Sequence, residues 1–412
     1  VPPATGPARH LPRLAAILFA AATILYGGLW MVHIGREPRA LLGLEYDVAR
    51  GSRDLRVVGV VEGGGAATAG LRAGDLIRAI DGRPPSLFDP LRGTIVTRRP
   101  GEIVRLTVER PGVSGPFDLP VTLGPAPARQ RPPAEAAARR LVIAFPVVFI
   151  IVGLVVLFLR PRDPHAWLLA LVFAGLIAVA PMLALEDLIP PPLRGFAMAY
   201  KVILHGMCGA FFYWFCAVFP GRSPIDLRLP WLRRLWLWSA AAVAVPLGAA
   251  CAWTGSTGPI VALLERVGPA VVTTALSLYY FGTTILGLAS LLWNLRRAPT
   301  AEARRKTRVV VWGTVAGLTP FLLLETASVS TGTNPYGFPF WVWAPCVLAV
   351  LLLPLSFAYA VVKHRVLEIP LLLRRGARYL LVQRGFTLLL IVASAALTFL
   401  FAEWSSEYFD PL

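Results

Sequence analysis

The stretch Ala66-Ala67-Thr68-Ala69-Gly70-Leu71-Arg72-Ala73-Gly74-Asp75-Leu76-Ile77, followed by Ala79-Ile80-Asp81-Gly82, decides how the polar part of this chain folds. From Asp75 to Asp81, Leu76, Ile77 and Ile80 alternate with polar residues as in a half-buried strand. Working outward, the same pattern recurs in Leu55 to Glu62, with its apolar run Val57-Val58-Gly59-Val60-Val61, in Ile103 to Val108, and in Phe117 to Leu123. Asp81-Gly82-Arg83-Pro84 and Arg110-Pro111-Gly112 supply turns between strands. Ser86 to Arg99 is expected as a helix capped by Ser86, with Leu87, Leu91 and Ile95 four apart on one face.

The rest of the chain is of another kind. The sequence has 412 residues, of which 56% are hydrophobic and only 15% charged, with a mean hydropathy of +0.64. An average soluble domain carries about 25% charged residues, so a polytopic membrane protein is the class indicated. Nine runs are long enough to cross a bilayer, centred near Leu25, Ile151, Ile177, Gly209, Val243, Gly282, Gly317, Val350 and Val392. Pro146, Pro246, Pro320, Pro345 and Pro354 are read as interrupting spans, and a ligand cavity at such a break is one option beside simple kinking. The first run, Leu14 to Val32, is long for a signal-peptide core and lacks a small-x-small cleavage site, so it is expected to be an uncleaved anchor. Cys208, Cys216, Cys251 and Cys346 all lie in apolar runs and are read as packing residues.

The net charge of +17 does not indicate nucleic-acid binding, because the arginines cluster in short loops at the ends of apolar runs. Basic loops fall around Arg222 to Arg234, Arg296 to Arg308 and Lys363 to Arg378, with Arg160-Pro161-Arg162 in step. The alternate loops, including the uncharged Ser328 to Pro339, are poor in basic residues. The alternation predicts cytoplasmic basic loops, a cytoplasmic N-terminus and an extracytoplasmic polar region in a bacterial inner membrane. Arg129, Arg131, Arg139 and Arg140 run against the scheme, which weakens for long translocated segments. The expected division is residues 1–35 for the N-terminus and first helix, 36–124 for the polar domain, 125–140 for a linker and 141–412 for eight further spans.

The run 66–77 with Ala79 to Gly82, preceded by Gly63-Gly64-Gly65 and followed by Pro100-Gly101-Glu102-Ile103-Val104 and Leu106 to Arg110, resembles bacterial PDZ domains. The fold class expected is thus a membrane α-helical bundle of about nine spans with one small extracytoplasmic α+β PDZ-like domain. The resemblance implies a groove in which a sheet edge takes an extended peptide and backbone N–H groups hold its terminal carboxylate. The carboxylate loop would be Leu42-Gly43-Leu44, with Gly43 allowing close approach. Leu42 and Leu44 would line the pocket for an apolar last residue, and Leu91 and Ile95 would form the opposite wall. Ordinary core packing is the competing reading of these leucines. Pro90 and Gly93 depart from a regular groove helix.

PDZ domains accompany proteases, so the sequence bears on protease motifs. His33-Ile34-Gly35-Arg36-Glu37 has the wrong spacing for a zinc protease helix, and Gly255-Ser256-Thr257-Gly258 is a turn, not a serine elbow. No catalytic residue, metal or cofactor is expected in this chain. Lys201 and His205, four apart, and Glu325 are candidates for an intramembrane polar pocket; snorkelling and local pairing are the bland alternative.

Phe357 to Ile369, with Arg374-Arg375-Gly376-Ala377-Arg378-Tyr379, resembles the end of the membrane region in bacterial sensors that precede histidine-kinase or PPM-type serine-phosphatase domains, although Pro370 replaces the family's acidic residue. That resemblance implies the input module of a longer signalling protein. The alternatives are a PDZ adaptor or scaffold without signalling output, and an accessory component of a membrane protease. The partners expected are a peptide or protein C-terminus and the bilayer; a homodimer stays open.

Overall fold

The structure, a computed structural model, describes residues 11–34, 40–48, 54–85, 91, 95, 98–126, 133–179, 189–297, 301–331 and 338–364. Helix α1 (Leu11–Ile34) leads into a β-rich insertion comprising β1 (Ala40–Leu41), β2 (Leu44–Val48), β3 (Leu55–Val60), α2 (Gly65–Thr68), β4 (Leu76–Ile80), β5 (Ile103–Glu109), β6 (Phe117–Thr122) and β7 (Gly124–Pro125). The helical remainder is α3 (Pro133–Ile143), α4 (Phe145–Leu159), α5 (Pro164–Val179), α6 (Pro191–Val218), α7 (Pro224–Arg228), α8 (Pro230–Thr254), α9 (Gly258–Val267), α10 (Pro269–Arg296), α11 (Ala301–Thr331), α12 (Phe340–Ala349) and α13 (Leu352–His364).

The insertion is a five-stranded antiparallel sheet in the order β2-β3-β4-β5-β6. The four strands expected from alternation are present within a residue or two. Strand β2 was not expected as a strand, yet Leu44 and Tyr46 pack on the core while Glu45 and Asp47 are exposed, which is the same period of two. Leu55, Val57, Ile77, Val104, Leu106, Val108 and Val121 are almost fully buried and form one core with residues of this domain alone. The short pair β1–β7 joins Ala40 to Pro125 and Leu41 to Gly124, so entering and leaving chains meet side by side. Most of the helix expected over 86–99 lies outside the described residues. Within it, the Ile95 N–H donates to Leu91 O at 3.0 Å, one helical turn.

Seven helices among the described residues are long and apolar enough to cross a membrane, and Pro164–Ala178 is a shorter apolar helix. The run centred on Val392 lies outside the described residues. Helix α6 is the hub, packed chiefly against α5, α8 and α10. Its seam with α8 is made by small residues. A Cβ on Gly195 would meet Ala252 O at 2.7 Å, one on Gly206 would meet Ala244 Cβ at 2.6 Å, and one on Gly248 would meet Ile203 Cγ1 at 2.5 Å. Ala244, Gly248 and Ala252 lie four apart, the small-xxx-small pattern by which helices in lipid approach closely. Aromatic contacts tie α13 to the hub: Phe357 lies 5.3 Å from Phe215 and 6.0 Å from Phe173, which is 5.4 Å from Phe149 on α4.

The prolines act in two ways. Pro246, Pro320 and Pro345 sit inside helices. Pro146 follows the break at Ala144 inside the apolar span Arg140–Leu159 and occupies the first turn of α4, where its missing N–H costs nothing. The span centred on Val350 is divided between α12 and α13, with Pro354 in the first turn after the break. An open apolar cleft beside Pro320 and Cys346 is lined by Thr319, Leu323, Phe338 and Val342.

Gly65 opens α2 against β6, and a Cβ there would run into the Thr122 carbonyl oxygen. In a fragment of residues 36–128, whose core is self-contained, Gly65→Ala is expected to lower the melting temperature by ~10 °C or more. An unchanged melting curve by circular dichroism would contradict this packing.

Candidate functional site

The candidate groove begins where the chain leaves β1. The Leu42 carbonyl accepts from the Ala66 N–H at 2.9 Å, and the Gly43 carbonyl accepts from the Val61 N–H at 2.9 Å. The peptide bonds here are trans, so each N–H points opposite to the preceding carbonyl. The Gly43 N–H therefore points away from α2, and the Leu44 N–H away from β3. Among the described residues, the Gly43 N–H has no acceptor. Gly43 holds φ +71°, the left-handed region that favours glycine, and a Cβ there would stand 3.2 Å from Gly64 Cα. Two backbone donors are thus fixed at one end of β2.

Among the described residues, strand β2 is the terminal strand of the sheet and pairs on one side only, with β3. The irregularity in that ladder leaves β2 regular, because Glu45 pairs with Gly59 and Tyr46 with Val57. Alternation along β2 then sends the backbone groups of Leu44 and Tyr46 toward the open edge. Leu42, Leu91 and Ile95 are buried in the domain core, and Leu44 is partly buried against it. All four apolar residues read from the sequence therefore belong to the one apolar core of the domain. The burial of Leu42 agrees equally with its being core.

Three carboxylates near this edge were not singled out in the sequence. Elsewhere in the domain, acids are engaged: Arg78 pairs with Asp54 and Glu109, Arg98 with Asp81 and Glu102, and Arg110 with Asp75, while Asp118 accepts from Thr107 Oγ1. Glu45, Asp47 and Glu62 have no such partner among the described residues. The alternation of β2 is the signal that would have found the first two.

The intramembrane candidates separate. Lys201 is buried on α6, and its Nζ donates 3.0 Å to Ala178 O, a carbonyl in the last turn of the short helix α5. Lysine there satisfies a group that lipid cannot. One turn on, the His205 ring stacks on Tyr280 at 5.3 Å, and Tyr280 OH donates to the His205 carbonyl. Glu325 lies on α11, which packs on α10, α12 and α13, whereas α6 packs on α5, α8 and α10. The best-built polar node of the bundle is elsewhere. Asp226 is fully buried, with Arg222 Nε at 2.8 Å and Arg233 Nη1 at 3.5 Å. Asn294 Nδ2 donates to Phe219 O and Gly221 O in the same loop. The sequence showed this loop only as a set of positive charges. The segment resembling sensor proteins lies outside the described residues from 365 onward.

Residues 40–121 match the PDZ domain family. The periplasmic pH-dependent serine endoprotease DegQ of Escherichia coli (strain K12) is 35% identical over 103 residues, 23% of this chain and 22% of that protein. Serine protease PepD of Mycobacterium tuberculosis is 32% identical over 96 residues, 23% of this chain and 20% of that one. The magnetosome formation protease MamE of Paramagnetospirillum magneticum is 38% identical over 94 residues, 21% of this chain and 13% of that one. The chain thus spans about a fifth or less of the length of these curated relatives.

The turn between α2 and β4 is pinned by Asp75, 1% exposed. Arg110 reaches it with Nε at 2.8 Å and Nη2 at 2.7 Å, the Arg72 N–H donates at 2.9 Å, and Arg110 also donates to Gly70 O. Burial alone would push the Asp75 carboxyl up. The hydrogen bonds from Arg110 and Arg72, with the arginine charges, outweigh it and hold the carboxyl below the usual range. Its stabilisation is therefore complete above the unfolded carboxyl value of about 3.9 and is lost as pH falls through the lower folded value. In fragment 36–128, Asp75→Asn is expected to lower the urea midpoint at pH 7, with the gap to wild type closing as pH falls below about 4. A gap that stays constant would show that the carboxylate charge stabilises nothing.

Proposed function

We propose that this chain is a multi-pass inner-membrane protein that presents its PDZ domain outside the membrane to capture peptide or protein C-termini, and that it assists envelope proteolysis without itself cleaving. The observation that carries the capture is the one-sided edge of β2, with the Gly43 and Leu44 N–H groups turned outward at its start. A carboxylate there accepts two fixed donors whose carbonyls are already bound elsewhere, so binding requires no backbone rearrangement. The peptide's remaining backbone continues the ladder along β2, and its last side chain enters the cluster of Leu42, Leu44, Leu91 and Ile95.

The proteolytic setting is supported by the relatives, each of which is a protease by name, and the word periplasmic attached to one of them agrees with an extracytoplasmic domain. Loop charge supports the same orientation. The signalling reading rests on the 357–379 resemblance alone and is the weaker of the two. An adaptor that recruits partners to the membrane without either output uses the same groove.

Fluorescence anisotropy with decapeptides ending in leucine tests the groove. The free-carboxylate peptide is expected to bind the full chain at least tenfold more tightly than its C-terminal amide, and Gly43→Glu should abolish the difference. A peptide bound equally well in both forms would remove the carboxylate loop from the account.

A further inference from the structure

Most of the acids described in this domain are engaged, and the exceptions gather at the groove. Asp54, Asp75, Asp81, Glu102 and Glu109 are in ion pairs, and Asp118 accepts a hydroxyl. Glu45 and Asp47, on the edge strand, and Glu62, one residue after the Val61 that holds Gly43, are without a partner among the described residues. Arginines are abundant on this domain, in a chain of net charge +17, so leaving the edge carboxylates unmatched is not forced by a shortage of cations.

The geometry assigns them a place. A peptide that adds antiparallel to β2 with its carboxylate at Gly43 and Leu44 has its last residue beside Leu44, its penultimate beside Glu45, its third from last beside Tyr46 and its fourth from last beside Asp47. Residues opposite one another in a ladder project from the same face. The last and third side chains therefore face the core side with Leu44 and Tyr46, and the second and fourth lie over the solvent face with Glu45 and Asp47. On that face the next strand offers Gly59 opposite Glu45, with no side chain to cover it, and Arg56 opposite Asp47. Arg56 stands on the β3 side of Asp47, away from the incoming peptide.

We infer that the groove selects C-termini that are apolar at the last position and basic at the penultimate and fourth-from-last positions. Glu45 and Asp47 are its specificity-determining residues. This rests on the peptide-capture reading above and names the ligand class of that same edge.

The test uses the full chain in detergent and four fluorescent decapeptides ending in leucine: lysine at both positions, glutamate at both, alanine at both, and the lysine peptide as its C-terminal amide. The lysine peptide is expected to bind about tenfold more tightly than the glutamate peptide at low salt, with alanine between, and half a molar salt should compress the series. Glu45→Gln with Asp47→Asn should bring the lysine and glutamate peptides to equal affinity. Equal binding of lysine and glutamate peptides, both still dependent on a free carboxylate, would overturn this inference and leave peptide capture standing. So would a lysine preference that survives the double substitution. Binding that ignores the free carboxylate would overturn both.

Discussion

Two hydrogen bonds set what the domain presents to its surroundings. By accepting from Ala66 and Val61, the carbonyls of Leu42 and Gly43 fix two peptide planes. Planarity then leaves the attached N–H groups no direction but outward. Every other claim about the groove depends on those planes. Gly43 is glycine because the second plane needs φ +71° and because a side chain would press on Gly64. Gly64 and Gly65 are glycines because α2 must start within reach of both this loop and β6. The sequence Gly63-Gly64-Gly65 and the loop Leu42-Gly43-Leu44 thus answer one packing requirement from two sides.

The helical part obeys a different constraint. In lipid, the hydrophobic effect does not drive helix against helix, so close approach must come from small residues and satisfied polar groups. The α6–α8 seam uses the first, with Gly195, Gly206, Ala244, Gly248 and Ala252 removing side-chain bulk where the backbones meet. The ends use the second. Lys201 satisfies a terminal carbonyl of the short helix α5. At the loop between α6 and α8, Asp226 gathers Arg222 and Arg233, and Asn294 of α10 binds the carbonyls of the same loop. The basic residues there hold helices together.

These constraints explain what could be read from the sequence and what could not. Strands β3 to β6 were legible because their alternation is strong and bounded by glycine and proline. Strand β2 carries the same alternation over Leu44 to Val48, but it is only five residues long and starts directly from the glycine loop. The PDZ resemblance and the residues around Gly43 were legible because a short glycine-rich pattern is tied to one backbone geometry. The relation of Glu325 to Lys201 was not, since spacing places a residue along its own helix and says nothing of which helices are neighbours. Charge counting likewise finds Asp226 and its arginines without revealing that the aspartate is buried, and it finds Glu45 and Asp47 without revealing that neither has a partner among the described residues.

The connections to the bundle restrict what the groove can meet. Only residues 35–39 separate α1 from β1, and 126–132 separate β7 from α3. At about 3.5 Å per residue, neither connection can extend beyond roughly 25 Å. Because β1 and β7 pair with each other, both tethers leave the domain from one place, and the domain is an insertion closed at its base. With α1 in a bilayer, the groove stays within a short distance of the membrane surface. An edge-on peptide interface is small and of modest intrinsic affinity. Confinement near the bilayer compensates for ligands that are themselves held there, since tethering replaces a free concentration by a high effective one. Under the capture proposed above, C-termini of membrane-attached or membrane-emerging chains would be taken in preference to identical termini diluted in the surrounding space.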